Sequence, residues 1–311
     1  MKDKLLLMDP LTFHKKFSAE DFDSQYNLRS KRPDYESTVI PEWIERSVKV
    51  RSDFSGMLDI HYGKGPKQQL DLFGVNKKDA PTLIYFHGGY WQRGDKSIYS
   101  FLAPSFNSKE INFIAVGYDL CPAVTITEIS AQARAALTFI WKSSDLLGIN
   151  RNLLTVMGHS AGGHITQMMM GTNWPAYSND LPTDLIKAGV PISPLSLLEP
   201  VRLTEALNAG IRMNAKEAES ESPMINHPPF TDAPQLVAVG GDETEEFHRQ
   251  ANMYVNAFST QKRLIEMYTV PGVDHFDELN ILADKDSEFF LKTIELIRST
   301  VNAKNNKPYI S

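Results

Sequence analysis

Gly158-His159-Ser160-Ala161-Gly162 sets one serine between two glycines, after the apolar run Leu153 to Met157 and at the start of a helical stretch near Ala161. A serine hydroxyl is a weak nucleophile until a neighbouring base removes its proton. The G-x-S-x-G spacing suits that chemistry. A sharp strand-to-helix turn exposes the hydroxyl in a strained backbone conformation, and a side chain at either flanking glycine would collide with adjoining elements. A glycine-rich packing turn would carry the same pattern. A second motif, His87-Gly88-Gly89-Tyr90-Trp91, closes another apolar run, Thr82 to Phe86. Paired glycines let the main chain approach a substrate, and amides aimed at a developing oxyanion are often the largest catalytic contribution. The amides of Gly89 and Tyr90, with that of Ala161 after the serine, are the expected oxyanion donors.

After a nucleophile on such a turn, the acid and then the histidine follow in chain order. His164, His227, His248 and His275 come after Ser160. His164 lies one helical turn from the serine and packs or caps; His227 belongs to a proline-rich insertion; His248 sits within a helix. His275 follows the last apolar run, on a loop ahead of the C-terminal helix, where it can take the Ser160 proton and return it to a leaving group. The acid is expected after Gln235 to Gly240, where Asp242 and Glu243 compete. Spacing alone does not separate them. Asp274, next to the histidine, would have to bend back on its own backbone.

The elements that must position these residues alternate. Leu58–Tyr62, Gln69–Val75, Thr82–His87, Asn112–Tyr118, Leu153–Gly158, Ala188–Ile192, Gln235–Gly240 and Leu264–Val270 are short runs bounded by turn residues, hence strands. Most are apolar on both faces, as in parallel sheets covered by helices. Thr125 and Glu128 form a capping box ahead of Ile126, Ile129, Ala133, Ala136, Leu137 and Ile140 at helical spacing. Further helices are expected from Ser160, over Glu245–Phe258, and from about Asp277 to Val301. This is the pattern of a doubly wound, mostly parallel α/β sheet. Residues 1–55 are polar, with helical stretches at Leu11–Tyr26 and Glu42–Val48, and read as an extension covering the surface of a 56–311 core. Residues 193–232 carry Pro194, Pro200, Pro223, Pro228 and Pro229 and a helical piece, Leu203–Met213. They read as a cap inserted over the carboxyl ends of the strands, where such sheets place their ligands.

Composition narrows the function. With 42% hydrophobic and 23% charged residues the chain builds an ordinary globular core. The 32 basic residues are outnumbered by 38 acidic ones without a basic run, which argues against nucleic acid and anionic membranes as partners. Cys121 is the only cysteine, so no intrachain disulfide forms, and a reducing, cytoplasmic compartment is expected. The run Leu5 to Met8 is too short for a secretory signal, and nothing approaches a membrane span. There is no H-E-x-x-H, P-loop or dinucleotide fingerprint, so neither metal nor cofactor is implied. A small-molecule substrate is the expected partner, and a homodimer is left open.

HGGYW, Tyr118-Asp119-Leu120-Cys121-Pro122, GHSAGG, the segment Gly240 to Gln250 and Asp274-His275-Phe276 together resemble the kynurenine formamidases (arylformamidases) of the α/β-hydrolase fold, over roughly residues 58–300. The resemblance implies a serine hydrolase that cleaves N-formyl-L-kynurenine to L-kynurenine and formate through a formyl-enzyme. The family position of the triad acid carries over onto Glu243. Relatives usually have Asp there, which keeps Asp242 as the alternative. Relatives often read as a short leucine-rich strand followed by Asp-Leu-Glu-Pro where this chain has Ile192-Ser193-Pro194-Leu195-Ser196-Leu197-Leu198-Glu199-Pro200, a departure that bears on specificity rather than on the reaction. Trp91 and Phe276 flank the catalytic motifs and are candidate walls of an aromatic slot. Two other readings stand beside this one: a carboxylesterase or amidase using the same triad, and, more remotely, a non-catalytic receptor binding a ligand under the cap.

Overall fold

The computed structural model describes residues 14–77 and 79–305; the N-terminal run Leu5 to Met8 and residues 11–13 of the expected first helix lie outside the described residues. Eight strands form one sheet in the order β1-β2-β4-β3-β5-β6-β7-β8. They are β1 (Met57–His61), β2 (Gln69–Phe73), β3 (Thr82–Phe86), β4 (Asn112–Val116), β5 (Leu154–His159), β6 (Ala188–Ile192), β7 (Gln235–Gly240) and β8 (Ile265–Val270). Each falls within one or two residues of its expected span. From β4 to β8 all pairings are parallel, whereas β1 pairs β2, and β2 pairs β4, antiparallel. The connection 62–68 is too short for the crossover that a parallel neighbour requires. The edge strand β1 accordingly alternates between exposed and half-buried positions, while β3, β4, β5, β6 and β7 are buried throughout.

The helices used below are α1 (Ala19–Tyr26), α2 (Ile40–Asp53), α3 (Ile126–Lys142), α4 (Ala161–Met170), α5 (Glu245–Phe258), α6 (Asp277–Ala283) and α7 (Glu288–Asn305). The Thr125–Glu128 capping box starts α3, with both reciprocal hydrogen bonds formed. A second capping box, Ser18 with Asp21, starts α1. The expected single C-terminal helix is instead two, α6 and α7. Asp284 ends the first, and the Ser287 hydroxyl caps the second by accepting from the Phe290 amide at 3.1 Å. Every position of α4 is buried, Met168, Met169 and Met170 included, so the helix behind Ser160 is core filler on all sides.

The extension is more than a cover. Tyr26 and Trp43 are completely or almost completely buried and belong to the main core. Trp43 Nε1–H donates to Asn280 Oδ1 of α6 at 3.0 Å, and Tyr26 OH donates to Glu246 Oε2 of α5 at 2.6 Å. Between β6 and β7 the chain makes four short helices, Glu199–Leu203, Glu205–Ile211, Ala215–Ser220 and Pro223–Asn226.

Candidate active site

Parallel strands share one carboxyl edge, and five of them deliver a residue of interest there: β3 leads to the His87 loop, β5 to Ser160, β6 to Ser193, β7 to Glu243 and β8 to His275. Ser160 has φ 58° and ψ −117°, outside the regions a side chain prefers. Its amide is held by the Ile192 carbonyl at 2.8 Å, and its own carbonyl accepts from His164 in the first turn of α4 at 3.0 Å. The glycines on either side are there for space. A Cβ on Gly162 would lie 1.9 Å from the Phe86 carbonyl oxygen, and one on Gly158 would lie 2.2 Å from the Gly162 oxygen.

The 87–94 loop is strained in the same way. Gly89, Tyr90 and Trp91 have φ of 115°, 50° and 56°. The turn closes through Gln92 and Arg93 amides donating to the Gly89 carbonyl at 3.0 and 3.1 Å. Its root is the His87 ring, stacked on Tyr118 at 4.3 Å, with Tyr118 OH donating to the His87 carbonyl at 2.7 Å. Burial lowers the His87 pKa to about 4, so the ring is neutral. Gly88 lies so close to the elbow that a Cβ there would be 3.1 Å from Ser160 Cβ. Ala161 opens α4, so its amide is among those a helix start leaves without an intrahelical acceptor.

His275 and Glu243 meet. His275 Nδ1–H donates to Glu243 Oε2 at 2.6 Å, leaving Nε2 as the ring's free basic nitrogen. The Glu243 side chain is completely buried, and its Oε1 accepts from the Gly240 amide at 3.1 Å and from the Ser193 hydroxyl. Asp242 is exposed on the same turn, and its amide donates to the Val273 carbonyl at 3.0 Å. Asp274 serves elsewhere: it caps the Phe276 and Asp277 amides at 2.9 and 3.0 Å and pairs with Arg32 at 2.6 Å. His164 Nε2–H donates to the Glu221 carbonyl at 2.8 Å, and His227 Nε2–H to that of Ser220 at 2.8 Å.

Ser160, His275, Gly88, Gly89 and Tyr90 border one cavity of about 240 Å³. Much of its lining is aromatic, including Tyr26, Tyr35, Trp43, Tyr99 and Phe276. Phe276 packs at a tilt against Tyr35 with ring centroids 4.2 Å apart. Trp91 corrects an expectation. It is fully buried, is absent from the cavity wall, and packs edge-on against His164 at 5.1 Å. Of the two residues after Gly89, Tyr90 lines the cavity and Trp91 does not. The aromatic surface comes mostly from residues 26–43 of the N-terminal extension, towards which the aryl group was expected to lie, although no aromatic residue there was singled out from the sequence. Three large aromatics in an otherwise charged segment were the available signal.

The comparisons fit this geometry. Residues 70–185 match the family model BD-FAE. Kynurenine formamidase from Salmo salar is 30% identical over 271 residues, 85% of this chain and 89% of that protein. The chain belongs to the kynurenine formamidase family. Kynurenine formamidase from Drosophila melanogaster is also 30% identical, over 252 residues covering 76% of this chain and 81% of the fly protein. Among solved structures, a Silicibacter sp. TM1040 protein provisionally described as a thioesterase superposes with TM-score 0.71 at 31% identity, over 82% of this chain and 92% of its own. The esterase of Pyrobaculum calidifontis superposes with TM-score 0.66 at 17% identity, over 89% and 99%, and shares the fold. This member of the formamidase family is thus an α/β-hydrolase-fold hydrolase, and none of its described helices is long and apolar enough to cross a membrane.

Proposed function

We propose that the protein hydrolyses N-formyl arylamides, with N-formyl-L-kynurenine as substrate and L-kynurenine and formate as products. The observation that carries this is the His275–Glu243 hydrogen bond of 2.6 Å at a cavity bordered by Ser160 on its strained turn. In this reading His275 Nε2 takes the Ser160 proton as Oγ attacks the formyl carbon. The amides of Gly89, Tyr90 and Ala161 hold the oxyanion, and Glu243 stabilises the imidazolium. His275 then protonates the departing aniline nitrogen as the C–N bond breaks. Water, deprotonated by His275, attacks the formyl ester and releases formate, and the proton returns to Ser160.

The aryl group fits the wall formed by Tyr35, Trp43, Tyr99 and Phe276. Arg29 and Arg93 reach the cavity rim with Glu36 as their shared anion, in contact with Arg29 and 4.0 Å from Arg93. Two cations and one anion leave a net positive rim, suited to the carboxylate of an amino-acid substrate. The segment 193–232 acts as a cap, meeting the site through Leu207, whose carbonyl accepts from Gln92 Nε2 at 3.0 Å. A cytoplasmic setting suits the single buried thiol of Cys121.

The test is steady-state kcat/KM on N-formyl-L-kynurenine beside a series of nitrophenyl esters, for the wild type and Ser160→Ala. A preference for the formamide, lost in the variant, supports the proposal; retained activity in Ser160→Ala sinks it. The esterase fold shared with the Pyrobaculum protein favours a second reading, a carboxylesterase, and efficient ester cleavage with little formamide turnover would select it.

A further inference from the structure

Behind Glu243 lies a second buried carboxyl. Glu278, in the first turn of α6, is completely buried, and its Oε2 is 2.8 Å from Ser193 Oγ. The same hydroxyl contacts Glu243 Oε1. Ser193 is fixed between them by φ 44°, a left-handed conformation, and by its amide donating to the Ala238 carbonyl at 2.8 Å.

A hydroxyl carries one hydrogen and cannot donate to two carboxylates at once. One of the two acids must therefore bring a proton of its own. Glu243 is already supplied by His275, Ser193 and the Gly240 amide. Glu278 has Ser193 on one oxygen and no partner on the other among the described residues. Among the described residues, the basic side chains beside it are two histidine rings, since a His275 nitrogen also lies within 4.8 Å of its carboxylate. His159 Nε2 stands 3.5 Å away, but its hydrogen goes to the His275 carbonyl at 2.7 Å, and burial keeps that ring neutral, its pKa pushed well below the usual value. Glu243 and Asp274, both acidic, also face Glu278, and Asp274 is paired with Arg32. Burial, then the Glu243 charge, push the Glu278 carboxyl well above the ordinary range.

We propose that Glu278 is the protonated member of a buried glutamate pair, a positioning residue whose O–H donates to Ser193 while Ser193 donates to Glu243. The chain of hydrogens Glu278 to Ser193 to Glu243 leaves Oε2 of Glu243 facing His275 and holds the charge behind the histidine at one unit. No proton moves along it during turnover. The role rests on His275 and Glu243 acting as proposed above.

The experiment is isotope-edited infrared spectroscopy of the full chain labelled with carboxyl-13C glutamate near neutral pH, joined to kcat and KM for Glu278→Gln, Glu278→Leu and Ser193→Ala. The wild type shows the C=O stretch of a protonated glutamic acid, and Glu278→Gln lacks it. Glu278→Leu and Ser193→Ala lower kcat about tenfold or more with KM little moved, and Glu278→Gln, whose amide still donates to Ser193, recovers most of what Leu loses. Absence of the band from the wild type, its persistence in Glu278→Gln, or a Gln variant as impaired as Leu would overturn the proposal. A fully active Glu243→Gln removes the triad reading and the positioning role with it, but leaves the infrared band, so the two failures are told apart.

Discussion

The Tyr90 hydroxyl donates to the Tyr26 carbonyl at 2.7 Å, tying the strained loop after β3 to the last residue of α1. Arg32 makes the matching link on the other side of the cavity, to Asp274 at 2.6 Å and Asp277 at 2.8 Å, around His275. The extension thus clamps both loops that border the site. Tyr90→Phe keeps the ring and removes the clamp, leaving a buried carbonyl short of a donor, at about 1–3 kcal/mol. The variant unfolds at lower denaturant, and kcat/KM falls several-fold because the amides of residues 89 and 90 lose their fixed placement. Unchanged stability and rate together would show that the link does nothing.

A methyl group at Gly162 tests the elbow itself. Its Cβ would sit 1.9 Å from the Phe86 carbonyl oxygen and 2.7 Å from that of His87, and both are backbone atoms that cannot swing aside. Gly162→Ala should cost more than about 3 kcal/mol or fail to fold, measured by chemical denaturation. At Gly148, with open space around the Cβ and only its φ of 65° as an obstacle, Ala should cost about 1 kcal/mol.

The acid is decided by comparing Glu243→Gln with Asp242→Asn. Gln cannot hold His275 as the Nδ1–H tautomer with a negative charge behind it, so kcat falls by about a thousandfold, while Asp242→Asn stays within about twofold. Equal losses would contradict the geometry.

Much of this was legible because it is local. The elbow and the HGGYW turn are written in glycine positions fixed by sterics, the capping box of α3 in two residues three apart, and the strands in uninterrupted apolar runs. What escaped depends on contacts between distant segments. The antiparallel start of the sheet follows from a short connection rather than from the composition of β1 and β2. Trp91 adjoins Gly89 and Tyr90 in sequence, yet the backbone turn sends it into the core against His164, and the aromatic wall comes from Tyr35, Trp43 and Tyr99 instead. Glu278 reads as an ordinary acidic residue of a helix start, where the dipole favours it. Only the packing of α6 beneath β6 and β7 makes it a buried partner of Glu243.

Three buried histidines bear most on the acid side of the stability profile, and His14, its pKa also lowered chiefly by burial, adds to them. His87 has its pKa lowered to about 4, and His159 and His164 are likewise held below the usual value, each chiefly by burial. The unfolded chain binds protons at these rings below about pH 6.5 while the folded chain does not, so their stabilisation is present above that pH and lost as pH falls. For His87 the loss is on the order of 3 kcal/mol by the time pH reaches about 4. Glu278 acts with opposite sign, since its raised pKa favours the fold at low pH and loses that advantage as pH rises above the ordinary carboxylate range. Three groups outweigh one, so the denaturation midpoint should fall between pH 6.5 and 5. In His164→Asn the slope should flatten by up to about 1.4 kcal/mol per pH unit. A midpoint that rises on acidification would show that the histidines are not held neutral.

In the proposed reaction, recognition of the substrate carboxylate should fall to the cation with the weaker hold on Glu36. Arg29 is in contact with Glu36 and stands 4.9 Å over the Tyr35 ring, so it is already engaged on two sides. Arg93 is 4.0 Å from the same carboxylate and more than half exposed, free to turn toward a ligand anion at the rim. Arg93→Ala therefore raises KM for N-formyl-L-kynurenine about tenfold with kcat little changed, because the contact is the same in ground and transition states. A neutral formanilide, with no carboxylate to hold, is cleaved by the variant as well as by the wild type. Glu36→Gln, which releases both arginines, lowers KM for the anionic substrate and leaves the neutral one alone. If both substrates respond equally to Arg93→Ala, the arginine supports the loop that carries Gly89 and reads no charge.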